Sequence, residues 1–176
     1  RIEYFLVAKL IAKKPNLKVV AVVGSVGKSG TKKAIATILD QKYSVAWQDG
    51  NYNDITTVPL VFFDLKLPSL LNPFGWLATF IKMNKKIKDY PHDVVVLELG
   101  TDGVGQIAEF GKYLKLDIAV VTHISEEHME NFDDVRSVAS EELSIQDFAG
   151  NLIIDSGSAK RFGDLIKNDF NKVSKF

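Results

Sequence analysis

Six consecutive residues, Gly24-Ser25-Val26-Gly27-Lys28-Ser29, set two glycines, a lysine and two hydroxyls between the apolar run Val19-Val20-Ala21-Val22-Val23 and a helix-forming stretch. This is the composition needed to hold phosphate. The glycines let backbone N–H groups approach phosphate oxygens, and the Lys28 ammonium reaches the β- and γ-phosphates. The Ser29 hydroxyl suits Mg²⁺, and the following helix presents its positive N-terminus. The longer pattern G-x-x-x-x-G-K-[ST] would place a glycine where the chain has Val22. What remains is the shorter G-x-x-G-K-S, for which a glycine turn without a ligand is the bland alternative. The strand before it and the helix after it favour a nucleotide loop, with a nucleotide and Mg²⁺ as the expected occupants.

Two further segments carry hard donor atoms. Val94-Val95-Val96-Leu97-Glu98 is an apolar run ending in a carboxylate, the arrangement in which a strand-end acid holds Mg²⁺ directly or through water. Its alternative is a glutamate in solvent. Thr122-His123-Ile124-Ser125-Glu126-Glu127-His128-Met129-Glu130 crowds two histidines and three glutamates into nine residues. The spacing is not the H-E-x-x-H of a zinc site. His128 therefore reads as a group close to Mg²⁺ or phosphate, against a purely structural role.

The elements that must position these residues follow from an alternation of patterns. Segments 18–23, 43–47, 93–97, 117–122 and 151–154 are mostly continuous apolar runs, as expected of strands covered on both faces. Helical patterns fall between them at 28–40, 58–65, 74–88, 105–114, 134–148 and 159–168. The fold class is α/β, a mostly parallel sheet flanked by helices, with ligands expected beyond the carboxyl ends of the strands.

Composition narrows the function classes. With 176 residues and 46% hydrophobic content the chain can bury one good core. Residues 18–176 read as that domain. Residues 1–17 read as a helix and linker from a longer chain, since Arg1 rather than Met comes first and a helical pattern is already under way. Lys+Arg and Asp+Glu balance at 22 each, so no global field recruits nucleic acid. The absence of cysteine removes disulfides, thiolate zinc sites and cysteine nucleophiles, and agrees with the cytoplasmic location expected here. No apolar run reaches the roughly 20 residues of a membrane span. The segment 65–88 comes nearest, but Lys66, Pro68, Asn72, Pro73, Gly75 and Lys82 interrupt it. Its Trp76, Leu77, Phe80 and Ile81 are expected to pack against the sheet or an absent domain, membrane contact being the lesser alternative.

Taken together, these segments resemble the ATP-binding central domain of the Mur ligases, in the branch that adds D-alanyl-D-alanine to a UDP-muramyl peptide. Gly24-Ser25-Val26-Gly27-Lys28-Ser29 with Thr31-Lys32 is similar to that family's G-S-x-G-K-T-x-T-K loop. Gly50-Asn51-Tyr52-Asn53 through Val58-Pro59-Leu60 is similar to G-N-x-N-N…V-P-L, and Leu97-Glu98-Leu99-Gly100-Thr101 with Gly105 and Ile107 to E-M-G-T-N-x-x-G-E-I. Val121-Thr122-His123-Ile124 with His128-Met129-Glu130 and Phe132 is similar to T-N-I…H-L-E-G-F.

The resemblance implies a P-loop NTPase-like fold and ATP-dependent amide ligation through an acyl phosphate. It implies nucleotide contacts from Gly24, Ser25, Val26, Gly27, Lys28, Ser29, Gly30, Thr31, Asn51 and Asn53, and metal contacts from Ser29, Glu98 and His128. Lys28 would stabilise the transferring phosphoryl group. The family carries a carbamylated lysine fourteen residues after the histidine, where this chain has Glu142. Glu142 could supply that carboxylate, or be an exposed acid on an amphipathic helix. Gly30, Asp54, Thr57 and His123 also depart from the pattern, which marks a divergent branch, and segment 65–88 looks inserted. A UDP-muramyl-peptide-like substrate would be held by domains absent here, so this piece alone should not ligate. A nucleotide-binding module that has lost ligation and serves as an interaction or regulatory domain is the alternative. A GTPase is disfavoured, because Asn84-Lys85-Lys86-Ile87 does not complete N-K-x-D.

Overall fold

The apolar run after Leu17 forms strand β1 (Lys18–Val23), whose side chains alternate between two layers in the computed structural model, which describes residues 1–50, 52–167 and 173–176. Val19, Ala21 and Val23 enter one core, while Val20 and Val22 enter a second on the opposite face. Strands β2 (Val45–Ala46), β3 (Val94–Glu98), β4 (Leu116–Val121), β5 (Ala149–Ile154) and β6 (Val173–Lys175) complete the sheet among the described residues. Its order is β2-β3-β1-β4-β5-β6, and every pairing is parallel.

Helix α2 (Lys28–Leu39) covers the second face with Ile35, Ala36 and Leu39. The larger core receives α1 (Ile2–Lys13) through Leu6, Val7 and Leu10, and α3 (Val58–Val61) through Val58, Leu60 and Val61. It also takes Met83 of α4 (Pro73–Lys86), Ile107 and Phe110 of α5 (Gln106–Phe110), and Val138, Ala139 and Leu143 of α6 (Val135–Leu143). Helix α7 (Ser156–Arg161) follows β5. Because β1 lies between β3 and β4, the segments leaving these three strands meet at one end of the sheet, the switch point where ligands bind in such folds.

Several boundaries differ from the sequence expectation for local reasons. The strand expected at 43–47 is cut to two residues, because the Lys42 and Tyr43 amides still donate to the Leu39 carbonyl and delay its start. The helix expected at 58–65 stops at Val61, and Asp64 turns the chain with a φ of 50°. The pattern at 105–114 yields only α5, and that at 134–148 yields α6 followed by a 3₁₀ turn, Ser144–Phe148, in which Gln146 donates to the Leu165 carbonyl. The pattern at 159–168 begins earlier, at Ser156, and its last residue lies outside the described ones. Strand β6, with one polar and one charged residue among three, carries no sequence signal.

Of Trp76, Leu77, Phe80 and Ile81, Phe80 packs against the larger core, and Leu77 and Ile81 do not pack against the sheet. Proline at the first turn and Asn72, whose side chain accepts the Gly75 amide at 2.9 Å, set the phase of α4. That phase turns Thr79 and Met83 inward, leaves Trp76 and Phe80 half-buried, and exposes Leu77 and Ile81.

Helix α6 starts with a reciprocal cap: Asp134 Oδ1 accepts the Ser137 amide at 2.7 Å, and Ser137 Oγ accepts the Asp134 amide at 3.2 Å. Asp134→Ala should lower stability by about 1 kcal/mol, read as a fall of about 2–4 °C in thermal midpoint. An unchanged midpoint would show that α6 is held by its buried face alone.

Candidate functional site

Gly24 leaves β1 with a φ of 122°, and a Cβ there would lie 2.3 Å from Thr122 Oγ1. Both the backbone angle and the close approach of Thr122, just past β4, demand glycine. Gly27, with a φ of 90°, caps the N-terminus of α2, where the angle alone is the reason. Between them the loop is tied to the segment after β4. The Ser25 and Val26 amides both donate to the His123 carbonyl, at 2.9 and 3.3 Å. Ser25 Oγ donates to the Ser125 carbonyl and accepts the Ser125 amide, each at 3.0 Å. Val26 itself is exposed, and Thr31 donates to the Gly27 carbonyl in the first turn of α2. Gly30 has open space where a Cβ would stand, so crowding does not explain its lack of a side chain.

The Lys28 ammonium stands over the loop, 2.5 Å from the Gly24 carbonyl, 3.4 Å from the Ser25 carbonyl and 3.4 Å from Glu127 Oε1. Ser29 Oγ donates to Glu98 Oε2 at 2.9 Å, which brings the expected hydroxyl and carboxylate together. Glu98 is not a glutamate in solvent: it is buried and paired with Lys32 Nζ at 3.0 Å, itself buried. Lys32 is not among the site residues expected from the sequence. It shares the inward-facing stripe of Lys28, Ile35, Ala36 and Leu39 on α2, and that periodicity could have found it.

His128 sits at a φ of 50°, its Nε2 3.4 Å from Asp102 Oδ1 and 3.4 Å from Glu127 Oε1, its Nδ1 3.7 Å from Glu130 Oε1. Glu127 therefore links His128 to Lys28, and Asp102 links it to the segment after β3. His123 turns away, with Nδ1 3.3 Å from Asp155 Oδ2. The alternative of an exposed acid is excluded for Glu142, which is 1% exposed. Its Oε2 accepts the Gly24 amide at 2.9 Å. Burial pushes its carboxyl up to about 7, partly offset by the Lys28 charge and the Gly24 amide. Glu142 and His128 form no ion pair with each other among the described residues: Glu142 meets Gly24, whose carbonyl accepts Lys28, and Glu127 lies between Lys28 and His128. The adjacent Glu141 faces elsewhere and fixes the start of α5, accepting the Gly105 and Ile107 amides at 2.6 and 2.7 Å and the Thr101 hydroxyl at 3.3 Å.

Asn53 lies beside this cluster rather than on the loop. Its carbonyl accepts the Gly100 amide at 2.8 Å, and it lines a cavity of about 600 Å³ with Gly100, Asp102, Gln106 and, from the N-terminal end of α1, Arg1 and Tyr4. Asn51 lies outside the described residues. Among those described, no group of three or more His, Asp or Glu side chains has the geometry of a metal site. The pair of Ser29 and Glu98 is a fit only for a hard cation that completes its shell with phosphate oxygens and water, as Mg²⁺ does.

The model of the Mur ligase middle domain family matches residues 22–176. The chain belongs to this family. Among curated Mur ligases, the UDP-N-acetylmuramoyl-tripeptide–D-alanyl-D-alanine ligase of Rickettsia prowazekii is 28% identical over 128 residues, 73% of this chain and 23% of that protein. The Bacillus subtilis enzyme of the same name is 28% identical over 138 residues, 78% of this chain and 25% of its own length. The chain thus spans about a quarter of the Mur ligases it matches. MurF of Acinetobacter baumannii superposes with a TM-score of 0.70 at 19% identity, covering 98% of this chain and 33% of that one. MurF of Thermotoga maritima in complex with ADP gives 0.57 at 21% identity, covering 98% and 35%. These superpositions fix the fold as that of the Mur ligase middle domain, with its P-loop NTPase-like parallel sheet.

Proposed function

We propose that this chain is the ATP-binding middle domain of a ligase that joins a carboxylate to an amine through an acyl phosphate, in the assembly of peptidoglycan precursors. The carrying observation is the convergence of the Gly24–Ser29 loop, the Ser29–Glu98 pair and the Lys28–Glu127–His128 cluster at the switch point of a Mur ligase fold. Its curated relatives are named for joining D-alanyl-D-alanine to a UDP-muramoyl tripeptide, and an ADP complex is known for a MurF of this fold.

In this reading the loop amides and the α2 N-terminus bind the β- and γ-phosphates, and Lys28 moves its charge from the loop carbonyls to the γ-phosphate oxygens. Ser29 and Glu98 would hold one Mg²⁺, and His128, flanked by Asp102 and Glu127, a second; bound Mg²⁺ supplies charge neutralisation. Lys32, 3.0 Å from Glu98 Oε2, keeps that carboxylate aimed. A substrate carboxylate oxygen attacks the γ-phosphorus as ADP leaves. The amine nitrogen then attacks the acyl carbon, phosphate departs, and the amine proton is lost to solvent or a nearby carboxylate. Catalysis rests on positioning and charge stabilisation. The cavity beside Asp102 lets a carboxylate approach from the side of Asn53.

The full-length protein, given ATP, Mg²⁺, UDP-muramoyl tripeptide and D-alanyl-D-alanine, should turn ATP over repeatedly to ADP and phosphate only when both the carboxylate and the amine substrate are present. Tight ATP binding without substrate-dependent ADP release would favour the second reading, a nucleotide-binding module without ligation. The presence of Glu142 where the family carries a lysine, bonded to the loop itself, is what favours that reading.

A further inference from the structure

The segment between α3 and β3 presents an apolar surface that the fold does not use. Ser69 to Asn72 form a turn, closed by the Asn72 amide on the Ser69 carbonyl at 3.0 Å, and its two central residues point outward: Leu70 is 71% and Leu71 94% exposed. The cap from Asn72 to the Gly75 amide fixes this turn on the end of α4. Along α4 the positions 74, 77, 81 and 85 fall on one helical face, and Lys88 follows in the turn after the helix. Phe74, Leu77 and Ile81 are exposed, as are Lys85 near the C-terminal end of α4 and Lys88 just past it.

Charge follows the same division. Residues 65–88 hold five lysines and no acid, and residues 1–14 hold four basic residues against Glu3 alone, although the whole chain is neutral. Helices α1 and α4 pack side by side. Lys9 Nζ donates to Asn84 Oδ1 at 2.9 Å, and Lys13 and Lys14 share a cavity with Tyr90, so the two helices run in the same direction. Exposed Ile2 and Phe5 therefore stand at the apolar end of α4, and the lysines gather at the other. The rest of the chain carries the compensating negative charge and would be repelled by an anionic surface, which leaves one orientation for approach.

From this pairing of an apolar tip with a lysine-rich flank we infer that the turn at Leu70–Leu71 and the outer face of α4 dock on an anionic lipid surface. The leucines and Phe74 enter the acyl boundary and the lysines lie among the headgroups. Among the described residues no helix is long and apolar enough to cross a membrane, so the contact is interfacial. The N-terminal end of α1 also walls the cavity beside Asp102, which puts the lipid contact at the end of the sheet that carries the phosphate loop.

Co-sedimentation of the full-length protein with vesicles tests this. It should bind vesicles of phosphatidylcholine mixed with phosphatidylglycerol at low salt, and at least about tenfold more weakly to phosphatidylcholine alone. Leu71→Asp with Phe74→Asp should abolish binding, and Lys85→Glu with Lys88→Glu should remove the preference for anionic lipid. All four positions are exposed or on the outer face, and an unchanged thermal midpoint confirms that each variant folds. No binding to either vesicle, as expected if a protein surface covers this face, would overturn the inference. So would equal binding by both double variants and the parent chain.

Discussion

Lys28→Ala should weaken ATP binding by roughly 1.5–3 kcal/mol, a loss of about 10- to 150-fold, read by calorimetric titration with Mg²⁺ present. The magnitude follows from the type of contact, a charged donor on a phosphate oxygen in a half-buried site. In the structure the ammonium already has three oxygen partners, the Gly24 and Ser25 carbonyls and Glu127. ATP must therefore exchange partners rather than capture a solvated lysine. The exchange caps the gain, which is why the upper bound is not higher. The Gly24 and Gly27 backbone angles do not depend on the lysine, so loop amides should keep residual affinity. Equal affinity for parent and variant would overturn the nucleotide assignment of the loop.

The loop was legible because its composition and its context agree: glycine at two positive-φ positions, strand before, helix after. The parallel sheet was legible for a similar reason, since continuous valine runs have only one comfortable place, a layer covered on both faces. What lay beyond the sequence was which polar residues turn inward. Lys32 and Lys33 are neighbours of one type, yet one is buried against Glu98 and the other is exposed, and only the phase of α2 separates them. Glu141 and Glu142 likewise differ by one step of α6, which sends one carboxylate to the α5 amides and the other to Gly24. Short elements were lost because their boundaries are set by single hydrogen bonds across the fold. Segment 65–88 shows the reverse: Leu77 and Ile81, apolar residues of α4, stand in solvent because Asn72 and Pro73 fix the helix phase.

Glu142→Gln should make the domain more stable above neutral pH while slowing the chemistry. The Glu142 carboxyl has an ordinary value of 4.5 and is raised to about 7, chiefly by burial. A raised value means that the folded state favours the proton. The associated stability is fully present below pH 4.5 and is lost as pH rises through 7, a change on the order of 3 kcal/mol. Glutamine cannot ionise, yet its amide oxygen can still accept the Gly24 N–H at the same place. The parent chain should therefore lose thermal stability between about pH 5 and pH 8 relative to the variant, about 2–4 °C for each kcal/mol. If the buried charge serves the reaction, as the position of the family's carbamylated lysine implies, acyl-phosphate formation in the full-length protein should fall by more than about tenfold, or roughly 1.4 kcal/mol of transition-state stabilisation. Gain in stability with loss of rate is the signature of a charge kept for function against its burial cost. Gain in stability with unchanged substrate-dependent ADP release would leave Glu142 as a support of the loop only. A parallel pH slope for both chains would show that the carboxylate stays ionised through this range, held so by Lys28 and the Gly24 amide.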